Sequence, residues 1–137
     1  MKKNIDQKKP SKKICKIVVR SVDEQGIRNF LFVEEDDGKI CLPGGLKKEG
    51  EIFQNTAKRK LFEETGIKIN TNLLVKMPIK FMRVFSITID MKKHTTLISK
   101  QKGTKKSMWI PTNQIFLTKR MKSSHRKIIK DILLGEN

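Results

Sequence analysis

Hydrophobic residues along the chain occur mainly in short runs that are typical of β-strands. β-Branched residues dominate 14–22, and a second apolar run covers 27–34, so we predict two strands joined by a polar turn at 23–26. Further strands are predicted at 39–42, 67–69, 73–77, 81–89, 95–99 and 108–111. The lysine-rich segment 100–107 separates the last two strands as a turn. The chain therefore contains enough short strands to build one sheet.

Two other segments repeat their apolar residues every three to four positions, which predicts amphipathic helices. The first helix covers 51–65, with Phe53, Ala57 and Leu61 on one face. The second helix covers 123–134. Its inward face holds Ile128, Ile129, Ile132 and Leu133, and its outward face holds His125, Arg126, Lys127 and Lys130. Strands and two helices in this order predict an α/β/α sandwich or an α+β fold.

Chain length and charge narrow the choice of partners. A chain of 137 residues supports one domain with a single core. Lys and Arg number 31 against 14 Asp and Glu, which gives a formal net charge of +17. Most of the excess follows residue 64, where 16 basic side chains accompany only three acidic ones. Such a chain attracts polyanions, which include RNA, DNA, anionic membranes and phosphate-rich small molecules.

The N-terminus, the cysteines and the short apolar runs indicate where the protein works. Residues 1–13 form a lysine-rich segment that cannot pack, so we predict a flexible basic tail before a folded domain at 14–137. Cys15 and Cys41 lie in apolar runs, and we interpret them as core thiols in a reducing compartment. No apolar run approaches the ~20 residues of a membrane span, and the N-terminus has no apolar signal region. These features predict a cytoplasmic protein without a membrane partner.

Candidate chemistry is concentrated in residues 45–67, whose sequence is GLKKEGEIFQNTAKRKLFEETGI. A glycine loop leads into the first predicted helix, on which Lys60, Glu63 and Glu64 lie within one turn. Carboxylate oxygens in this arrangement suit a hard divalent cation such as Mg²⁺. Glycine in the loop lets backbone carbonyls approach the same ion, because no side chain is in the way.

This segment resembles the Nudix box, G-x5-E-x7-R-E-U-x-E-E-x-G-U, in which U is a bulky aliphatic residue. Eight of its nine specified positions agree, at Gly45, Glu51, Arg59, Leu61, Glu63, Glu64, Gly66 and Ile67. The resemblance implies a Nudix-like α/β/α sandwich with a mixed sheet, a Nudix helix and a C-terminal helix. It also implies hydrolysis of a phosphoanhydride bond with Mg²⁺ or Mn²⁺ as the cofactor.

The resemblance further implies roles for individual residues. Glu63 and Glu64 would be the catalytic carboxylates, and they would bind the metal together with the carbonyl of Gly44. Gly44 and Gly45 would form the loop beside the metal. A structural ion pair that braces the helix would join two residues of the box, Glu51 and Arg59.

One position departs from the family pattern, because Lys60 stands where the box has glutamate. In the family this glutamate binds metal or helps to activate the attacking water. An ammonium group there removes a ligand and repels the metal, by about 4 kcal/mol per charge pair at ~4 Å and an effective dielectric constant near 20. We therefore predict reduced metal occupancy and impaired catalysis. Alternatively, Lys60 pairs with Glu64 and acts as a cation in place of the metal, which binds phosphate without hydrolysing it.

Outside the box, the chain is similar to the diphosphoinositol polyphosphate phosphohydrolases, which also cleave diadenosine polyphosphates. The similarity consists of short pieces at 19–21, 42–45, 92–95, 108–110 and 124–126. Leu46 replaces a third glycine that often follows the proline in that subfamily. By this resemblance, phosphate contacts are expected from four basic residues, Lys13, Arg20, Lys93 and Arg126.

These observations leave two functional hypotheses. The first is a Nudix-type hydrolase, with impaired catalysis, of a highly phosphorylated substrate such as a diphosphoinositol polyphosphate or a dinucleoside polyphosphate. The alternative is a pseudoenzyme with the Nudix fold that binds RNA or the ribosome through its basic surface. A membrane surface is not expected as a partner, because no exposed amphipathic helix with aromatic residues accompanies the charge.

Overall fold

The structure is a computed structural model that describes residues 13–94 and 105–135. Its strands are β1 (Ile14–Val22), β2 (Arg28–Glu34), β3 (Ile40–Cys41), β4 (Gly44–Leu46), β5 (Val75–Lys76), β6 (Arg83–Thr88) and β7 (Ser107–Pro111). Its helices are α1 (Phe53–Thr65), α2 (Thr112–Ile115) and α3 (Ser123–Gly135), with 3-10 turns at Thr71–Leu73 and Met91–His94. The predicted tail, apart from Lys13, and the predicted strand at 95–99 lie outside the described residues. None of the helices described here is long and apolar enough to span a lipid bilayer.

A mixed sheet with β1 at its centre forms the middle layer of the fold. One edge of β1 runs parallel to β6 from Cys15 to Arg20. The other edge pairs antiparallel, with β4 at residues 14–16 and with β2 at residues 20–22. The strand β2 also pairs with β3 and β7, and β5 pairs with β6. Since β4 contains both glycines of the predicted loop, the sheet itself holds that loop against the first half of β1.

Alternate side chains of β1 enter two separate cores, one on each face of the sheet. Ile17 and Val19 pack with Leu61 of α1, whereas Val18 packs with Ile129 of α3. All five side chains are fully buried, and each such burial stabilises the fold by about 1.5–3 kcal/mol. Helices therefore cover both faces, and the predicted α/β/α sandwich with a mixed sheet is confirmed.

The two cysteines belong to the interior of the fold. Cys15 and Cys41 are both buried and form no disulfide. Burial raises the pKa of the Cys15 thiol to about 12, and it also raises the pKa of Cys41. Both side chains therefore behave as small apolar groups at neutral pH, as core thiols do.

Several short strands differ from the sequence predictions. Residues 67–69 form no strand, although Ile67 and Ile69 are buried and pack into the core beneath α1. Gly44 and Gly45, predicted to form a loop, pair with β1 as part of β4. The strand predicted at 73–77 is reduced to the two residues of β5. Alternate burial thus marked positions that face a core, but only pairing partners decide whether a strand forms.

Both predicted long helices are present, but α1 begins two residues later than predicted, and the side chain of His125 in α3 faces inward instead of outward. The helix α1 begins at Phe53 because Glu51 lies in the preceding turn, where its carboxylate accepts from the N–H of Lys48 at 2.9 Å. His125 is buried instead of facing outward, because its Nδ1 accepts from the N–H of Leu42 at 2.9 Å. Burial lowers the pKa of His125 to about 3, so the ring is neutral at physiological pH.

Candidate functional site

The glycine loop of the site depends on a close approach between β4 and β1. Gly44 has φ of +141°, and a Cβ atom there would collide with the carbonyl oxygen of Cys15 and lie 2.8 Å from Cα of Lys16. Only glycine fits such an approach without displacing backbone. The N–H of Gly44 donates to Oε1 of Glu64 at 3.0 Å. The loop therefore contacts one of the two carboxylates that the sequence predicts to be catalytic.

Glu51 and Arg59 form a two-point ion pair between the loop and α1. Arg59 donates from Nε to Oε2 of Glu51 at 2.8 Å and from Nη2 to Oε1 at 3.0 Å. Nη2 also donates to the carbonyl of Leu46 at 2.9 Å. The Arg59 hydrogen bonds, followed by the bond from the N–H of Lys48, hold the pKa of Glu51 well below its usual range. Because both partners stay charged, this pair fixes the helix relative to the loop.

Glu63 is half-exposed and lies between two cationic side chains. Its carboxylate is 3.3 Å from Nζ of Lys60 and 3.3 Å from Nη1 of Arg59. Burial would raise the pKa of Glu63, but the hydrogen bonds from Lys60 and then Arg59 outweigh it and lower the pKa. The predicted alternative pair between Lys60 and Glu64 is wrong, because Lys60 contacts Glu63 and its aliphatic chain lies over Gly45.

Glu64 is only 2% exposed, and each oxygen of its carboxylate has a partner. Oε1 accepts from Gly44, and Oε2 lies 3.0 Å from Nζ of Lys105. The same Nζ lies 2.8 Å from Oε2 of Glu35, so one ammonium group bridges two carboxylates. Burial lowers the pKa of Lys105, but hydrogen bonds to Glu35 and Glu64 outweigh it and raise the pKa. The two carboxylates therefore keep the Lys105 side chain in its charged form.

Lys16 places a second ammonium group close to this bridge. Its Nζ donates to the carbonyl of Leu42 at 3.3 Å. Burial lowers the pKa of Lys16, and the charges of Glu64 and, more weakly, Glu35 oppose that effect. Two carboxylates and two ammonium groups therefore share this end of the sheet, and their formal charges cancel.

The carboxylates in this arrangement do not fit the Mg²⁺ that the Nudix resemblance implies. Mg²⁺ requires oxygen ligands in near-octahedral geometry at about 2.0–2.1 Å. Across 13–94 and 105–135, no three His, Cys, Asp or Glu side chains are grouped as a metal site requires. Glu63 and Glu64 contact the ammonium groups of Lys60 and Lys105 instead. A divalent cation would have to displace a lysine from its carboxylate in order to bind.

The four basic residues expected to contact phosphate do not gather at one point. Lys13 precedes β1 at the end that pairs with the glycine loop. Arg20 lies seven residues further along, roughly 23 Å away at ~3.3 Å per residue, and Lys93 follows β6 at the same far end. On α3, Arg126 donates to the carbonyl of Thr118 at 2.6 Å. Lys13 therefore lies at the loop end of β1, whereas Arg20 and Lys93 lie at the opposite end.

Sequence reasoning missed three residues of the site, namely Lys16, Glu35 and Lys105. Glu35 and Lys105 are 70 positions apart, so no local spacing connects them. The register of β2 and β7 does connect them, because it pairs Val33 with Ser107 and carries the flanking residues to the same place. A correct prediction of strand pairing, rather than of motifs, would have found this contact.

Comparison with known proteins agrees with the fold. The chain is similar to the structure of a mutT/nudix family protein from Listeria innocua, with 15% identity over 93% of this chain and 95% of that chain and a TM-score of 0.67. It is also similar to the Ap4A hydrolase of C. elegans, with 12% identity, coverage of 90% and 97%, and a TM-score of 0.65. A third similar structure is the MERS1–RNA complex of T. brucei, with 12% identity, coverage of 74% and 52%, and a TM-score of 0.53.

Sequence comparison identifies the family directly. No curated protein matches the chain in sequence. A family model described as the NUDIX domain, however, matches residues 16–132, which include the whole glycine loop, α1 and most of α3. Because this match extends over far more than half of the chain and the fold agrees with it, the protein belongs to the Nudix family.

Proposed function

We propose that this chain binds a highly phosphorylated small molecule, a diphosphoinositol polyphosphate or a dinucleoside polyphosphate, and hydrolyses its phosphoanhydride bond only slowly. Nudix hydrolases act on phosphorylated small molecules and generally use divalent metal ions such as Mg²⁺. The observation that carries the proposal is an ammonium group at Lys60 within an otherwise complete loop and helix. The C. elegans structure, an Ap4A hydrolase, supports the substrate class.

Binding of phosphate is supported by the cations around the glycine loop. The side chain of Lys60 crosses Gly45, so that a Cβ atom on this glycine would lie 3.2 Å from Nζ of Lys60. The side chain is 24% exposed, which leaves its ammonium group able to meet an anion from solvent. Ammonium groups bind phosphate as point charges, without the two-point geometry of arginine. Lys60 therefore replaces part of the positive charge that the metal brings in other family members.

Slow hydrolysis is supported by the state of the carboxylates. A general base works best when its pKa lies near the operating pH. The pKa of Glu63 is lowered, and Glu64 is buried between Gly44 and Lys105. Neither carboxylate is arranged to take a proton from water. Since a positioned acid or base contributes typically 10²–10⁴-fold, its loss leaves a site that binds better than it reacts.

Variants of two lysines on α1 test the binding site. In isothermal titration calorimetry with diadenosine tetraphosphate and a diphosphoinositol polyphosphate, we expect Lys60→Met to weaken binding about tenfold, as for the loss of one charge-assisted contact. Lys58→Met is the matched control, because Lys58 is exposed on the same helix and, two residues before Lys60, lies roughly 160° away from it around the helix axis. Equal losses in both variants, or no binding by the wild type, would refute the proposal.

Turnover by the wild type tests the second half of the proposal. Release of phosphate or nucleotide from the same ligands is measured beside a Nudix hydrolase with a complete box. We expect the wild type to be at least about 100-fold slower, as for loss of a positioned base. Turnover equal to that of the reference enzyme would show that Lys60 is compatible with full catalysis.

A second candidate function is binding of RNA without turnover, which the notable charge asymmetry favours. After residue 64 the chain carries 16 basic and three acidic side chains. The T. brucei structure with the same fold is a complex with RNA. This candidate needs no carboxylate chemistry, and its test depends on the charge of the whole molecule.

A further inference from the structure

The contact of Lys105 with α1 is built by backbone as well as by side chain. Its N–H donates to the carbonyl of Glu64 at 3.0 Å, and its Nζ lies 3.0 Å from Oε2 of the same residue. The Nζ is also 2.8 Å from Glu35, and the Lys105 side chain is 32% exposed. By contrast, the next residue, Lys106, is 76% exposed at its side chain, and its Nζ lies 3.9 Å from Oε1 of Glu34. Lys105 is therefore placed at the bridge by the fold itself.

The bridge has the geometry of a small cation between two carboxylates. Both oxygens lie within 3.0 Å of Nζ, so they are at most about 5.8 Å apart. Ligand oxygens on opposite sides of Mg²⁺ are about 4.2 Å apart, at ~2.1 Å from the ion. A modest approach of Glu35 and Glu64 would therefore bring both oxygens to the ion. What prevents this is the ammonium group between them.

The formal charges around the bridge also disfavour a divalent ion while Lys105 is charged. With Lys16 included, two ammonium groups balance Glu35 and Glu64, so a divalent ion would give the site a net charge of +2. Without the charge of Lys105, the same ion would meet a net charge of −1. Because Glu64 is almost fully buried, solvent screens these charges poorly. The metal is thus disfavoured by a specific residue rather than by a lack of carboxylates.

We propose that Lys105 is the resident cation of this Nudix site, holding Glu35 and Glu64 where a divalent metal would otherwise bind. Lys105 acts as a positioning residue, since it fixes the carboxylates and does not contact reacting atoms in the structure. The inference rests on the proposed function, because it explains how the site is neutralised without a metal. Removal of the Lys105 charge should expose a latent site for a divalent cation, with Glu35 and Glu64 as ligands.

Binding of Mn²⁺ to the full-length protein without substrate tests this inference, using electron paramagnetic resonance of the free ion. We expect Lys105→Met to bind Mn²⁺ at least tenfold more tightly than the wild type. Lys105→Arg keeps a cation at the bridge and should behave like the wild type. Lys106→Met is the matched control and should also show no gain. The double variant Glu35→Gln with Lys105→Met should lose the binding that Lys105→Met gained.

Thermal unfolding of the wild type keeps the test decisive even if Lys105→Met does not fold. Mn²⁺ in the millimolar range should leave the wild-type midpoint unchanged, since a ligand that binds the native state raises it. A clear rise, or equal Mn²⁺ affinity of wild type and folded Lys105→Met, would overturn the inference. A purely structural role would lower the stability of Lys105→Met without any gain of Mn²⁺ binding. Calorimetry with polyphosphate is independent of these results, so failure of the proposed function would be recognised separately.

Discussion

At the scale of single residues, the site depends most on the absence of a side chain at Gly44. We expect Gly44→Ala to lower the free energy of unfolding by at least about 2 kcal/mol, because a Cβ atom would meet backbone atoms of Cys15 and Lys16. Backbone cannot move aside as a flexible side chain can. Urea denaturation of the two proteins measures the difference, and the same substitution should abolish binding of polyphosphate.

The control for this prediction is Gly38→Ala. Gly38 also has a positive φ, of +84°, but a Cβ atom there would meet nothing within 4 Å. Its substitution should cost only the conformational strain, about 1–2 kcal/mol. A Gly44→Ala protein no less stable than Gly38→Ala would show that β4 can move away from β1 at little cost.

Individual residues of the box were predictable because their spacing is local. The contact of Glu51 with Arg59 spans eight residues, so a motif can contain both partners. Lys105 could not be assigned in this way, since its partners lie 70 positions away in Glu35 and 41 positions away in Glu64. Its role follows from the order of strands in the sheet, which no short motif encodes.

At the scale of elements, α3 is attached to the loop side of the sheet through His125. The imidazole Nδ1 accepts from the N–H of Leu42, and the N–H of Lys122 donates to the carbonyl of Ile40. Burial, followed by the positive charges of Lys16 and Lys122, lowers the pKa of His125 to about 3, against a weaker opposite effect of Glu35. The start of α3 therefore depends on a neutral histidine.

This attachment predicts loss of stability in mild acid. Below pH 6.5 the unfolded chain binds a proton at His125 and the folded chain does not, so stability falls as pH falls from about 6.5 towards about 3. The slope can reach about 1.4 kcal/mol per pH unit. Urea denaturation between pH 7 and pH 5 measures it, above the pKa values that carboxylates ordinarily have.

A histidine variant separates this effect from general acid unfolding. His125→Asn keeps an acceptor near the position of Nδ1 but cannot bind a proton in this range. We expect it to be less stable than the wild type at pH 7 and to lose much less stability between pH 7 and pH 5. Identical pH slopes for the two proteins would place the acid sensitivity elsewhere.

Elements were predicted well where the spacing of their own apolar residues determined them. They were predicted poorly where they depended on contact with a distant part of the chain. The helices α1 and α3 were predictable because their apolar residues recur at helical spacing and each covers one face of the sheet. Residues 67–69 alternate as a strand would, yet pair with no strand within 13–94 and 105–135. Glycine at 44 and 45 predicted only a loop, because the sequence does not show that β1 lies beside these residues. His125 looked like a surface residue because its acceptor role depends on Leu42, 83 positions away.

At the scale of the whole molecule, the net charge of +17 determines how the protein meets any polyanion. For single-stranded RNA, each neutralised phosphate contributes a slope of about −0.7 in log affinity against log salt. A fourfold rise in salt should therefore weaken binding about 20-fold if three phosphates are neutralised. Fluorescence anisotropy with a labelled RNA oligonucleotide at several salt concentrations measures this slope.

Competition between ligands distinguishes the two candidate functions in the same assay. If RNA binds through the wide basic surface, Lys60→Met should change its affinity little, and diadenosine tetraphosphate should displace it poorly. RNA affinity that stays constant as salt rises would contradict the second candidate function. Loss of RNA binding in Lys60→Met would assign both ligands to the glycine loop.

The position of β1 at the centre of the sheet also affects how the protein is made. This strand leaves the ribosome before its parallel partner β6, which begins 61 residues later, from Val22 to Arg83. At ~5–20 residues per second, translation leaves that edge of β1 open for roughly 3–12 s. Nascent chains that pause before Arg83 thus expose an unpaired apolar strand edge, which is the kind of edge that can pair with another chain.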